Sequence, residues 1–260
     1  MSELILVKRD GHIATVVLNR PDKLNALTKA MWRQLGETVE TLSDDDGIRC
    51  IVLRGAGDKA FSPGNDIGEF ETERSNMEQA RAYGGIMTGT LEAISNCRVP
   101  VVARIQGICV GGGLEIASVC DLRICGESSR FGIPIKRLGL VMSLPELKGL
   151  VGLVGHATAL EILLEGRVFG AQEALQKRLV TRVVPDGEVE NEVHATAARI
   201  AEGAPLVARW HKKFVRRLVE DPAPFTDEEI DEGFACYGTE DFESGYRSFL
   251  SKTKPDFKGR

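Results

Sequence analysis

The sequence predicts an α/β protein, and three observations carry that expectation. Strand-like apolar runs alternate with helical patterns over the first two thirds of the chain, a glycine cluster interrupts the alternation, and the last part is almost wholly helical in pattern. With 260 residues, 43% of them hydrophobic, the chain can bury one large core with at most a small appended subdomain.

The elements follow in order. The opening Met1-Ser-Glu-Leu-Ile-Leu-Val-Lys8 is strand-like and lacks the basic start, long apolar stretch and small-residue cleavage site of a signal peptide. Ile13 to Asn19 reads as a strand, Thr28 to Leu42 as a helix, and Ile48 to Arg54 as a buried strand ending at Gly55-Ala-Gly57. Met77 to Ser95 has helical spacing, and Val99 to Gln106 is a strand introduced by Pro100. After the break at Gly107 to Gly113, a short apolar helix spans Gly112 to Cys120 and a strand spans Asp121 to Cys125. From Leu144 onward the patterns are helical, apart from a brief strand at Val180 to Val184. No low-complexity linker divides the chain. The expected organisation is a core over residues 1–195 and a helical region over 196–260.

Charge and composition narrow the function. A formal net charge of −5 disfavours a nucleic acid partner. No apolar run is expected to reach membrane-spanning length, so no membrane partner is expected either. Cys50, Cys97, Cys109, Cys120, Cys125 and Cys236 sit singly in apolar segments without a CxxC pair, as buried thiols of a reducing cytoplasm would. His12, His156, His194 and His211 fit neither a triad nor a metal-ligand spacing, and no Gly-x-Ser-x-Gly elbow is present. Trp210, Phe234, Tyr237 and Phe242 are expected to pack helices or subunits.

The chemistry is expected at two glycine-rich turns. Gly107-Ile-Cys-Val-Gly-Gly-Gly-Leu-Glu115 puts three consecutive glycines between a strand and a helix, where backbone N–H groups approach a ligand unobstructed by Cβ atoms. A P-loop needs Lys-Ser/Thr after the glycines, and a Rossmann turn needs a third glycine where Ile116 stands. Two readings remain, an oxyanion hole or a tight turn with close packing. Lys59-Ala-Phe-Ser-Pro-Gly-Asn-Asp-Ile-Gly-Glu-Phe70 favours the first, because it is a second turn after a strand in which Gly64 can aim the next N–H outward.

At these residues the chain resembles the crotonase (enoyl-CoA hydratase/isomerase) family. Phe61-Ser-Pro-Gly-Asn-Asp-Ile67 is similar to that family's Phe-x-Ala-Gly-Ala-Asp-Ile, and Gly111-Gly-Gly-Leu-Glu115 to its Gly-Gly-Gly-x-Glu. Further matches are Leu18-Asn-Arg-Pro-Asp-Lys-Leu-Asn-Ala-Leu27, Cys120-Asp-Leu-Arg-Ile124 and Thr239-Glu-Asp-Phe-Glu-Ser-Gly-Tyr-Arg-Ser-Phe249. The resemblance implies a spiral of ββα repeats with a helical C-terminal trimerisation region, assembling as a homotrimer or a hexamer made of two trimers. It implies an acyl-CoA substrate, no separate cofactor and no metal.

Carried over by motif position, the backbone N–H groups of Asn65 and Gly112 polarise the thioester carbonyl, and Glu115 is the catalytic acid/base. Asp22, Lys23, Leu24, Asp66 and Ile67 would rim the CoA site. Phe249 and Lys252 match residues that reach a neighbouring subunit's CoA. The chain departs from the hydratases at Ile135, which stands in the substrate pocket where a second glutamate belongs and can neither activate water nor deliver a proton. Glu146 is close downstream but is equally explained as a partner of a helix dipole. Pro63 removes an N–H from the turn, and the Asn65 side chain is expected to form an Asx turn. The implied activity is hydration of a 2-enoyl-CoA. The alternatives are isomerisation, decarboxylation or thioester hydrolysis on the same enolate, or CoA-ester binding without catalysis.

Overall fold

The computed structural model describes residues 3–260. It opens with an antiparallel hairpin of β1 (Ile5–Asp10) and β2 (Ile13–Leu18). Helix α1 (Lys29–Asp44) then crosses over, so that β3 (Cys50–Gly55) joins β2 in parallel. Thr28 caps α1 by accepting from the Met31 N–H, and Met31, Trp32, Leu35 and Val39 form its buried stripe at helical spacing.

Three units of two strands and a helix follow. The first is β3, β4 (Ala60–Ser62) and the helices α2 (Phe70–Glu73) and α3 (Met77–Asn96). The second is β5 (Val101–Ile105), β6 (Ile108–Val110) and α4 (Gly112–Val119). The third is β7 (Leu122–Gly126), β8 (Arg130–Gly132) and α5 (Leu144–Glu165). In each unit the first strand enters a six-stranded sheet and the second a four-stranded one. With β9 (Phe169–Gly170), α6 (Ala171–Gln176) and β10 (Arg182–Val184), the orders are β1-β2-β3-β5-β7-β10 and β4-β6-β8-β9. This is the expected spiral of ββα repeats.

The larger sheet is covered on both faces, which explains why its strands read as unbroken apolar runs. Along β3, Ile51 and Leu53 point into the main core with α1 and α3, whereas Cys50 and Val52 face Val189, Val193 and Ala197 of α7 (Val189–Glu202). Each such valine, leucine or isoleucine side chain removed from water contributes about 1.5–3 kcal/mol. The boundary expected between residues 195 and 196 falls inside α7, a helix that packs on the sheet.

Beyond it lie α8 (Pro205–Glu220), α9 (Asp227–Glu232) and α10 (Glu240–Ser251). Lys212 of α8 holds this region to the sheet, its Nζ lying 2.7 Å from the Asp121 carboxylate and 3.1 Å from the Val99 carbonyl. Phe225, Phe234, Tyr237 and Phe249 stay exposed. Helix α5 corrects one expectation, because its 22 residues are long and apolar enough by composition to cross a membrane. Its backbone is nonetheless broken at Gly155 (φ 76°, ψ 166°); it contacts α4 and buries Leu150, Ala159 and Ile162.

Candidate active site

The two glycine turns meet at the ends of β4 and β6, which are parallel neighbours. Gly64 (φ +101°) lies so close to the start of α4 that a Cβ on it would sit 2.7 Å from the Gly112 nitrogen. A Cβ on Gly113 would stand 2.3 Å from the Ser62 carbonyl oxygen, so only glycine admits this approach. The Gly64 and Asp66 backbone is clamped by Leu27, whose N–H donates to the Gly64 carbonyl and whose carbonyl accepts from Asp66 N, both at 2.8 Å. Ser62 Oγ accepts from Gly64 N at 3.1 Å and so engages the N–H that follows Pro63, whose own nitrogen carries none.

The outcome is a pair of neighbouring donors. The Asn65 nitrogen lies 3.6 Å from where a Gly112 Cβ would be, and neither the Asn65 nor the Gly112 N–H reaches an acceptor among the described residues. Gly112 is also the first residue of α4, so the positive end of the helix adds to both donors. Fixed donors placed this way stabilise negative charge developing on a carbonyl oxygen.

Glu115 stands one turn along α4 and is 7% exposed. Its Oε2 is buried with no hydrogen-bond partner. Burial, followed by the negative charge of Glu146, pushes its carboxyl up to about 8, against a smaller opposing pull from Arg74. Ordinary ion-pairing glutamates do not behave this way, and a carboxyl that exchanges its proton near neutral pH fits acid/base work.

Asn65, Gly112, Glu115, Asp66, Ile67 and Ile135 all line one cavity of about 530 Å³. Glu146 lines it too, while its Oε2 also accepts from Ser143 N at 2.6 Å as part of a capping box. A larger hollow of about 620 Å³ lies between α3, α4, α5 and α8 and holds none of the expected site residues.

Some placements differ from expectation. The Asn65 side chain makes no Asx turn; its Oδ1 accepts from the buried Trp32 indole at 2.6 Å and its Nδ2 faces Met87 Sδ at 3.7 Å. Asp22, Lys23 and Leu24 stand outside the cavity lining, in and just after a short 3-10 turn. That turn is nevertheless tied to the cavity rim, because Arg20 pairs with Asp66 at 3.0 Å. Phe249 and Lys252 lie at the exposed end of α10 and do not reach the cavity of their own chain. Sequence reasoning missed Trp32, which lies within the helix read over Thr28 to Leu42, and Arg74, which no motif marks.

Comparison with known proteins agrees with this geometry. The sequence model of the family described as enoyl-CoA hydratase/isomerase matches residues 8–260. A crotonyl-CoA hydratase of Syntrophomonas wolfei is 32% identical, with 98% of each chain covered. A short-chain-enoyl-CoA hydratase of Clostridium acetobutylicum is 30% identical, again with 98% of each covered. The solved structure of an enoyl-CoA hydratase/carnithine racemase from Magnetospirillum magneticum superposes with a TM-score of 0.98 at 50% identity, covering 100% of this chain and 97% of that one. With the glycine-built donor pair, the buried glutamate and the ββα spiral all in place, this chain belongs to the crotonase, or enoyl-CoA hydratase/isomerase, family.

Proposed function

We propose that the protein is an enoyl-CoA hydratase-type lyase that adds water across the double bond of a 2-enoyl-CoA. The observation that carries this is the juxtaposition of two unengaged backbone N–H groups with a buried carboxyl that has no partner. The thioester oxygen accepts from Asn65 N and Gly112 N, and negative charge builds there as the enolate forms. Ionised Glu115 takes a proton from the attacking water as the hydroxyl bonds to the β-carbon. It then returns that proton to the α-carbon as the enolate collapses back to the thioester. One carboxyl thus serves as base and then acid, which Ile135 makes necessary. The same economy suits double-bond isomerisation, in which a single carboxyl moves a proton between the α- and γ-carbons, and that is the second reading.

In this reading coenzyme A enters as part of the substrate, and no further cofactor is needed. Asp66 and Ile67 on the cavity lining, with the Asp22 to Leu24 turn beside them, support a CoA rim. The exposed aromatic side chains of α8 to α10 support assembly as a homotrimer or hexamer that brings Phe249 and Lys252 to a neighbour's CoA. The cytoplasm is the proposed compartment, because all six cysteines are free and burial pushes the Cys50, Cys120 and Cys125 thiols up to about 12. Loss of the conjugated enone absorbance of crotonyl-CoA tests the activity. Turnover that disappears in Glu115→Ala supports hydration. Binding without turnover by the wild type retires it and leads to β,γ-unsaturated acyl-CoA thioesters as isomerase substrates.

A further inference from the structure

Arg74 is a cation on the cavity lining with no ion-pair partner within 4.0 Å among the described residues. It follows α2 directly and lines the same cavity as Glu115. Its guanidinium lies 4.8 Å from the ring centroids of both Phe70 and Tyr83, a double cation–π contact that holds the planar fork in place. Nη1 is buried with no hydrogen-bond partner, and no carboxylate comes within 4.0 Å of the group among the described residues.

The other charges on the lining do not supply the missing anion. Asp66 is engaged by Arg20 at 3.0 Å and Glu146 by the Ser143 N–H at 2.6 Å. Glu115, pushed up to about 8, is mostly uncharged at neutral pH. Arg137, a second cation on the lining, also has no ion-pair partner among the described residues. At Ile135 the cavity carries an apolar side chain where a glutamate would repel an incoming anion. Arg74 is half-buried, with Nη1 out of water and unpaired; leaving such a donor unsatisfied is costly, and a charge-assisted bond to a ligand offsets that cost.

We propose that Arg74 receives an anionic group on the acyl chain, so that the substrates are acyl-CoA thioesters carrying a carboxylate distal to the thioester. This rests on the reading that the cavity holds an acyl-CoA. The rings of Phe70 and Tyr83 orient the guanidinium, and the oxyanion donors fix the other end of the acyl group. Substrate choice then depends on which acyl chains place their carboxylate at Arg74.

The test is calorimetric titration of the full chain with saturated, unreactive thioesters. Glutaryl-CoA and adipyl-CoA are compared with pentanoyl-CoA and hexanoyl-CoA. A carboxylated ligand is expected to bind roughly 10- to 100-fold tighter than its neutral counterpart, the range of one charge-assisted hydrogen bond. That ratio should collapse toward one in Arg74→Met and be partly kept in Arg74→Lys, with circular dichroism confirming folded variants. Wild-type ratios within about twofold, which need no variant at all, overturn the inference; so does a ratio that survives in Arg74→Met. Failure of all four thioesters to bind overturns the acyl-CoA reading itself, and the inference falls with it.

Discussion

Replacing Glu115 by glutamine should make the protein more stable, by an amount that grows with pH. The carboxyl is held at about 8 in the folded chain against an ordinary value of 4.5. Below pH 4.5 both folded and unfolded chains keep the proton, and the site carries no charge penalty. Between about 4.5 and 8 the unfolded chain releases the proton while the folded chain retains it, so stability falls as pH rises; above about 8 both are ionised and the loss is constant. Each pH unit in that window is worth about 1.4 kcal/mol, so the loss reaches about 3 kcal/mol at pH 7 and about 5 kcal/mol at its full extent. Glutamine fills the same space without titrating. The gap between variant and wild type in thermal melting should therefore widen by roughly 6–12 °C between pH 4.5 and 7 for a chain of this size. Parallel melting curves across that range would refute the claim that burial, rather than an unseen partner, sets the state of Glu115.

Further outcomes follow from the same geometry. In a hydratase that uses ionised Glu115 as base, kcat/KM for crotonyl-CoA should rise with pH around a midpoint of about 8. Because Glu146 raises that carboxyl and Arg74 lowers it, Glu146→Gln should shift the midpoint down and Arg74→Met should shift it up in pH–rate profiles. Gly64→Ala forces a Cβ against the Gly112 nitrogen at a φ of +101° and should lower kcat roughly 100-fold or more in steady-state assays of the folded variant. Asn65→Ala keeps its backbone donor but leaves the buried Trp32 indole N–H unpaired, and urea denaturation should show a loss of about 1–3 kcal/mol.

The fold was readable where an element is long enough to show a period. The stripe of α1, the run of β3 and the spacing of α3 all appear in the chain at their observed places. The second strand of each unit does not. β4, β6 and β8 have three residues each, fewer than alternation needs, and β4 and β6 sit in segments whose glycines read as turns. The resemblance supplied the ββα repeat that periodicity could not. Helix α5 departs in another way: its composition is apolar enough to cross a membrane although it carries Glu146, Lys148, Glu161 and Glu165, yet it is broken at Gly155 and buries little of its surface.

The site divides along the same physical line. The pair of neighbouring backbone donors was legible because it depends on sterics at Gly64, Gly112 and Gly113, where a glycine is needed by the backbone itself and so leaves its mark in the local sequence. The side chains that shape the cavity depend on partners brought together by folding. An asparagine after a turn glycine looks like an Asx residue to its chain neighbours, yet Asn65 is held by Trp32, 33 residues away. Arg74 gives no local signal, because its meaning comes from the rings of Phe70 and Tyr83 and from the carboxylates that do not approach it. Backbone donors set the class of chemistry, enolate stabilisation, whereas side chains assembled from distant segments set which acyl group is accepted. A family signature built on glycines therefore fixes the first and leaves the second to the fold, and it is at Arg74 and Ile135, outside the signature, that this chain's own specificity has to be tested.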